Sequence, residues 1–379
     1  MAVQERNIPV HLITGFLGSG KTTLLTRLID YYHALDQKVA IVMNELGDVN
    51  LDGTLMDREV PMSEMLGGCI CCSIRGDLGM EIQELVAAHR PDVILIESTG
   101  AANPLEIIDG VTEAALLVRV ELQSVITVVD GPELLERGRN GKGATFRLMK
   151  EQIRCATHLI VNKADRLYPE QVVEVQQLVR EWNQKAELVV TVKAVVDAAV
   201  LLGGSVKPGS GPDTAGIRVY GKQGDYSEVE AESGHDADSY GQSDDQLAHG
   251  GHSCTHDDHA DCRHHEHETG HAGGHVHHSH SHVMALTHYF KEPVDGEAFE
   301  ALLKRLPDDI YRAKGLVTFK ETRSRFMFQY AYRESDFLRI NPQGQVHDVA
   351  VFIGEHFSRE QLLEQLHELE RLSAAADES

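Results

Sequence analysis

The amino-acid sequence predicts an α/β protein: a first domain built on a mostly parallel sheet, followed by a small α+β domain at the C-terminus. Three observations carry this. Short β-branched runs alternate with longer helical patterns over residues 1–202, the rhythm of parallel strands joined by helices. The composition changes abruptly at Gly203, and apolar patterning resumes only at Val283. With 379 residues, 42% of them hydrophobic, the chain is long enough for about two domains and can bury a sizeable core.

Taken in order, residues 8–14, 38–43, 92–97, 124–129, 158–162 and 187–192 read as strands. Between them, residues 22–32 carry Leu24, Leu25, Leu28, Ile29 and Tyr32, an apolar stripe at helical spacing; residues 81–88 and 170–182 follow the same pattern. Residues 203–216 are rich in Gly, Ser and Pro. Residues 221–282 hold 13 Asp and Glu against Lys222 and Arg263, a formal −11 of the chain's −24, and 14 of the 22 histidines lie between His235 and His282. So few large apolar residues cannot offset the entropy of ordering, and residues 203–282 are expected to form a disordered acidic, His-rich loop. Beyond it, 283–290, 316–319, 326–331 and 346–353 read as strands and 296–306 and 358–372 as helices, giving a C-terminal domain over 283–379.

A net charge of −24 argues against a general nucleic-acid binder, because phosphate neutralisation needs clustered cations. No uncharged apolar run approaches the ~20 residues of a membrane span, and the N-terminus lacks the basic start and apolar stretch of a signal peptide. The expectation is a cytoplasmic protein without nucleic-acid or membrane partners. The six cysteines are Cys69, Cys71, Cys72, Cys155, Cys254 and Cys262. Three within four residues are too close for an ordinary disulfide framework and read as metal-binding or redox-active thiols.

Residues Gly15-Phe16-Leu17-Gly18-Ser19-Gly20-Lys21-Thr22 fit the phosphate-loop pattern G-x-x-x-x-G-K-S/T at every fixed position. An apolar strand precedes the motif and a helical pattern follows, so an ordinary Gly-rich turn is the poorer reading. The glycines Gly15, Gly18 and Gly20 would let backbone N–H groups curl around phosphate oxygens at a helix N-terminus, with Ser19 and Thr23 alongside. Lys21 would reach the β- and γ-phosphates and the Thr22 hydroxyl would ligate Mg²⁺. Downstream, Glu97 ends an apolar strand and would hold the metal's water shell, while Gly100 would give a backbone N–H to the γ-phosphate. Lys21, Thr22 and Glu97 are the candidate catalytic groups.

Asn162-Lys163-Ala164-Asp165 follows a strand directly. The Asp165 carboxylate can accept paired hydrogen bonds from guanine N1–H and the exocyclic amino group, whereas adenine presents an acceptor at that position. Asn162 and the stem of Lys163 would brace the loop and the base face, and residues 191–194 would supply a backbone contact. GTP is therefore the expected nucleotide.

Gly68-Cys69-Ile70-Cys71-Cys72 lies between the phosphate loop and the acidic strand. Three thiolates suit a tetrahedral Zn²⁺ site, with Glu45 of Asn44-Glu45-Leu46-Gly47 as a candidate fourth ligand; redox sensing is the alternative. The loop adds His252, Cys254, His256, His259, Cys262 and His264, borderline ligands dense enough to acquire or buffer metal without fixing one geometry.

At these residues the chain resembles the CobW-like P-loop GTPases, a family of metallochaperones related to nickel-enzyme maturation GTPases. The resemblance rests on 15–22, Asn44–Gly47, Gly68–Cys72, Glu97-Ser98-Thr99-Gly100 and 162–165, with Arg312-Ala313-Lys314-Gly315 looking like the family's Arg-x-Lys-Gly stretch. It implies a P-loop GTPase that handles Zn²⁺ or Co²⁺ at the cysteines and transfers it to a client metalloprotein. Asp48 stands where many relatives carry Glu, and Cys155-Ala156-Thr157 where Ala-Asp is expected. Glu45 and Asp48 are the candidates for positioning the attacking water. A cobalt-handling protein of cobalamin metabolism, a passive metal store, a redox-regulated GTPase and a homodimer are left open.

Overall fold

The computed structural model describes residues 6–43, 60–64, 74–202, 217–219, 283–331, 333–342 and 346–375. The N-terminal part runs β1 (Ile8–Thr14), α1 (Lys21–Ala34), β2 (Val39–Met43), β3 (Met62–Glu64), α2 (Ile74–His89), β4 (Val93–Glu97) and α3 (Pro104–Leu117). It continues through β5 (Val120–Asp130), α4 (Gly131–Asn140), α5 (Ala144–Arg154), β6 (His158–Asn162), α6 (Pro169–Trp182), β7 (Glu187–Val190), α7 (Ala198–Leu201) and β8 (Ile217–Val219). Among the described residues these strands form one sheet in the order β3-β2-β4-β1-β5-β6-β7-β8, every pairing parallel. β2 and β4 are buried along their whole length, which is why they read as unbroken apolar runs rather than alternating ones.

Helices α3, α4 and α5 were not anticipated. In α3 nine of the fourteen residues are buried, among them Ile107, Ile108, Val111, Ala114 and Ala115, so no polar face contrasts with the apolar one. Its start is nonetheless specified: Asn103 accepts the Leu105 N–H at 3.1 Å, and Pro104 occupies the first turn. α4 repeats the device with Asp130 and Pro132. α5 opens on Gly143 without a side-chain cap, so it lacks a start signal. β8 corrects the expectation of a structureless 203–282 segment, because residues 217–219 pair in parallel with Leu188–Val190. Three residues are too few to show a period.

The C-terminal part is β9 (Val283–Tyr289), α8 (Gly296–Lys304), β10 (Ile310–Phe319), β11 (Ser324–Ala331), β12 (Glu334–Ile340), β13 (Val349–Glu355) and α9 (Arg359–Ala375). Its strands form an antiparallel sheet in the order β12-β11-β10-β13-β9. β12 escapes a sequence reading because it is an edge strand whose Glu334, Asp336 and Arg339 interrupt the apolar pattern. Alternation gives this sheet two buried faces. Leu286, Phe290, Ala350 and Phe352 pack with Phe299, Leu302 and Leu303 of α8 and Leu362, Leu366 and Leu369 of α9. Val283, Ala285, Tyr289, Val349, Val351 and Ile353 instead share a core with Ile107, Ile108, Val111, Ala114 and Ala115 of α3.

Polar contacts fix that junction. Arg312 donates to Asp109 Oδ2 at 2.7 Å, and Lys314 Nζ donates to the Asp109 carbonyl at 3.2 Å and to Glu113 Oε1 at 3.3 Å. The Tyr289 hydroxyl accepts the Val120 N–H at 3.0 Å and has the carbonyls of Ala115, Val118 and Val120 within 3.2 Å for its single proton. Tyr289→Phe removes the hydroxyl that bridges these main-chain groups, although the Val120 N–H also donates to the Val118 carbonyl at 2.9 Å, and is expected to cost about 1 kcal/mol. The measurement is the midpoint of denaturant unfolding at unchanged slope; a midpoint equal to the parent's shows that the hydroxyl contributes nothing.

Candidate functional site

Because β1, β4, β5 and β6 are parallel, Thr14, Glu97, Asp130 and Asn162, the last residues of their strands, finish at one end of the sheet. Strand order reverses about β1, with β2, β3 and β4 on one side and β5 onward on the other. A crevice at such a reversal, beyond the strand C-termini, is where ligands of open α/β sheets bind.

The 15–22 loop turns from β1 into α1 at this end. Gly15, Gly18 and Gly20 have φ of 137°, 73° and 110°. At Gly20 a side chain is excluded outright, since a Cβ there would lie 2.4 Å from Asn162 Nδ2. Lys21 is buried and its Nζ donates to the Phe16 carbonyl at 3.2 Å, while Thr23 is exposed at the start of α1. Thr22 Oγ1 donates to Glu97 Oε1 at 2.9 Å. Burial pushes the Glu97 carboxyl above the usual carboxylate range, against the Thr22 hydrogen bond and the Lys21 charge.

Four buried side-chain oxygens crowd this spot without a hydrogen-bond partner among the described residues: Thr14 Oγ1, Ser19 Oγ, Glu97 Oε2 and Ser98 Oγ. Native structures rarely leave such atoms unpaired. Hydroxyls and a carboxylate beside a buried ammonium form a donor and acceptor set that suits phosphate oxygens and a hydrated Mg²⁺. Gly100 is the neighbouring element: a Cβ there would meet Leu17 N at 2.5 Å, so its backbone lies directly on the phosphate loop.

The Asn-Lys-x-Asp segment begins at the end of β6. Asn162 is buried; its Nδ2 donates to the Ser19 carbonyl at 2.8 Å and its Oδ1 accepts the Ala194 N–H at 2.9 Å. Asp165 is exposed, with no hydrogen bond to another described residue. Two contacts add detail. The Lys163 ammonium pairs with Asp130 Oδ2, so this residue is tied to β5 by its charge. Within 191–194 the Ala194 N–H is already used by Asn162 and is not free for a base. Lys163, Lys193 and Ala194 adopt φ of 60°, 54° and 51°, strained for residues with side chains and persisting only where surroundings over-determine them.

Sequence reading missed Thr14, Ser98, Asp130 and Gln152. Asp130 carried the same signal as Glu97, an acid closing an apolar strand, but the strand was expected to end one residue earlier. Gln152 was detectable only as a polar residue on the buried face of α5, beside Met149 and Ile153. Cys155 is a structural thiol: fully buried, it is pushed far above the ordinary thiol range by burial. Thr157, in the departure from the family pattern, braces β5 by accepting the Val125 N–H and donating to the Val125 carbonyl, each at 3.0 Å.

The expected metal ligands Glu45, Cys69, Cys71, Cys72, His252, Cys254, His256, His259, Cys262 and His264, and Asp48, lie outside the described residues. Among the described residues no three His, Cys, Asp or Glu are grouped to hold a metal ion, and no helix is long and apolar enough to cross a membrane.

Glu97 generates a stability prediction. Its raised folded-state pKa means that it stabilises the nucleotide-free fold when protonated, and that this contribution is lost as pH rises through the folded value. Glu97→Gln is therefore expected to raise the thermal midpoint of the nucleotide-free protein at pH 8, the difference shrinking as pH falls towards the ordinary carboxylate range. A difference independent of pH refutes this account of the buried carboxyl.

Comparison with known proteins bears on the whole arrangement. The CobW/HypB/UreG nucleotide-binding domain matches residues 9–190, and the cobalamin synthesis protein cobW C-terminal domain matches residues 283–370. The zinc-regulated GTPase metalloprotein activator 1 of Dictyostelium discoideum is 31% identical over 52% of this chain and 48% of its own length. The zinc chaperone YeiR of Escherichia coli is 35% identical over 46% of this chain and 51% of its own, and the zinc chaperone CobW of Pseudomonas aeruginosa 28% identical over 52% and 60%. The matched region thus spans about half to three-fifths of these relatives. With a CobW/HypB/UreG nucleotide-binding domain followed by a cobW C-terminal domain, the chain belongs to the CobW-like proteins.

Proposed function

We propose that this chain binds and hydrolyses GTP with Mg²⁺ and uses the nucleotide cycle to hold a transition metal, zinc first, and deliver it to a client metalloprotein. The observation that carries the nucleotide half is the cluster of buried oxygens, without a partner among the described residues, around the Thr22–Glu97 hydrogen bond and the Lys21 ammonium. Thr22 and Glu97 are the residues that would hold Mg²⁺, directly and through water. Mg²⁺ supplies charge neutralisation on the phosphate oxygens. Lys21 adds a fixed cation in a dry site, where it acts more strongly than in water. Gly100 contributes its N–H to the γ-phosphate, and Asp165, exposed at the far end, reads guanine.

The metal half is supported by the printed names of the relatives, which are zinc chaperones and a zinc-regulated activator. Cys69, Cys71, Cys72 and Glu45 are the proposed tight ligands, and the histidines of 252–264 with Cys254 and Cys262 a weaker reserve. The 65–73 stretch connects β3 to α2 and lies in sequence between the phosphate loop and the strand that ends in Glu97, so metal and nucleotide would share one segment of chain. Free thiols as ligands suit the reducing cytoplasm.

Asp165→Asn is expected to weaken GTP binding by about 1.5–3 kcal/mol, the range for a hydrogen bond to a charged group, and to leave ATP binding nearly unchanged. Equal losses for both nucleotides would remove Asp165 as the base reader. Coupling is tested by titrating the full chain with Zn²⁺, against Co²⁺, with GDP or a non-hydrolysable GTP analogue bound. The Zn²⁺ affinities should differ by about 1–3 kcal/mol, and Zn²⁺ should shift the analogue's affinity by the same factor. Identical affinities in the two forms would leave a GTPase without a delivery mechanism.

A further inference from the structure

The loop between β4 and α3 is held from a direction that the phosphate motif does not foretell. Gln152, on α5, is 1% exposed, and a buried amide is unfavourable unless its hydrogen bonds are made. Its Nε2 donates to the Gly100 carbonyl at 3.2 Å and to the Ala102 carbonyl at 3.5 Å. Only the amino end of the amide can serve two carbonyls, so its orientation is set. Thr127 Oγ1, on β5, donates to the Gln152 main-chain carbonyl at 2.7 Å and pins that turn of α5 to the sheet. On the opposite side Gly100 rests on the phosphate loop, where a Cβ would fall 2.5 Å from Leu17 N and 3.0 Å from Leu17 Cα. Residues 100–102 are therefore clamped between Leu17 and the Gln152 amide.

We propose that Gln152 is a positioning residue for the terminal phosphate: by holding the Gly100 and Ala102 carbonyls it keeps the Gly100 backbone against the phosphate loop, and discrimination of GTP from GDP depends on it. This rests on the reading of the site as a GTP site. A diphosphate has no group at the Gly100 position, so its affinity does not pass through Gln152. A triphosphate meets the Gly100 N–H, whose placement relaxes once the two carbonyls lose their donor.

The test uses the full chain with Gln152→Met, which keeps side-chain length and removes the donor. A second variant, Gln152→Glu, keeps the shape but turns an acceptor towards two carbonyls. Affinities for Mg-GDP and for a Mg-bound non-hydrolysable GTP analogue are measured by equilibrium titration, with thermal melting to confirm folding. Gln152→Met is expected to weaken the analogue about tenfold while GDP stays within about twofold, and Gln152→Glu to weaken the analogue further. Parallel losses for both nucleotides in the folded variants mean a merely structural residue and overturn the proposal, as does an unchanged ratio. A parent chain that binds neither nucleotide overturns the GTP reading itself, whereas a parent that binds both with variants of unchanged ratio overturns the role of Gln152 alone.

Discussion

One buried amide joins the two halves of the candidate nucleotide site. Asn162 donates to the Ser19 carbonyl of the phosphate loop and accepts the Ala194 N–H of the loop after β7. Both bonds are out of water, so neither end can exchange to solvent without leaving a buried polar group unpaired. The spacing between the 15–22 loop, the Asn-Lys-x-Asp segment and the loop after β7 is thereby set by a side chain rather than by loop flexibility. The arrangement requires Gly20, because any side chain there would occupy the space of the Asn162 amide. It also holds Ala194 in a backbone conformation that it would not adopt alone.

The same region carries unspent polarity. Lys21 is almost fully buried, Glu97 is desolvated, and four hydroxyl or carboxylate oxygens lack protein partners among the described residues. Such atoms destabilise an isolated fold and become useful when a ligand completes them, as expected of a preorganised electrostatic site. The surrounding sheet tolerates this because its strands are otherwise buried in continuous apolar runs, with β2 and β4 covered on both faces.

Helix α3 gives the C-terminal domain a structural address. It begins four residues after Gly100, behind the Asn103 cap, and further along presents Asp109 and Glu113 to Arg312 and Lys314 of β10. Burial pulls the Lys314 ammonium below its usual range, partly restored by Glu113 and Asp109. The family-like Arg-x-Lys-Gly stretch is therefore part of the junction between the domains. Gly315 belongs there by necessity, since a Cβ would lie 2.0 Å from the Val349 carbonyl. The loop that touches the phosphate loop thus continues into a helix whose other side is a wall of the second domain.

The sequence by itself determined the alternating architecture, the phosphate loop, the acid at the end of β4 and the Asn-Lys-x-Asp segment. Each of these is local: a period, a fixed spacing or a strand-to-helix turn lies within about ten consecutive residues, where propensity and sterics act directly. α3 was hidden because it is apolar nearly all round, β12 because an edge strand carries charges, and β8 because three residues have no period. What only the tertiary structure decided were pairings between distant positions: Asn162 with Ser19, Lys163 with Asp130, Gln152 with Gly100, and Tyr289 with the 115–120 segment. The physical reason is that a hydrogen bond across 30 to 170 residues depends on which strands become neighbours. Strand order is settled by burial of whole faces and leaves no mark on the residues immediately either side of a donor or acceptor.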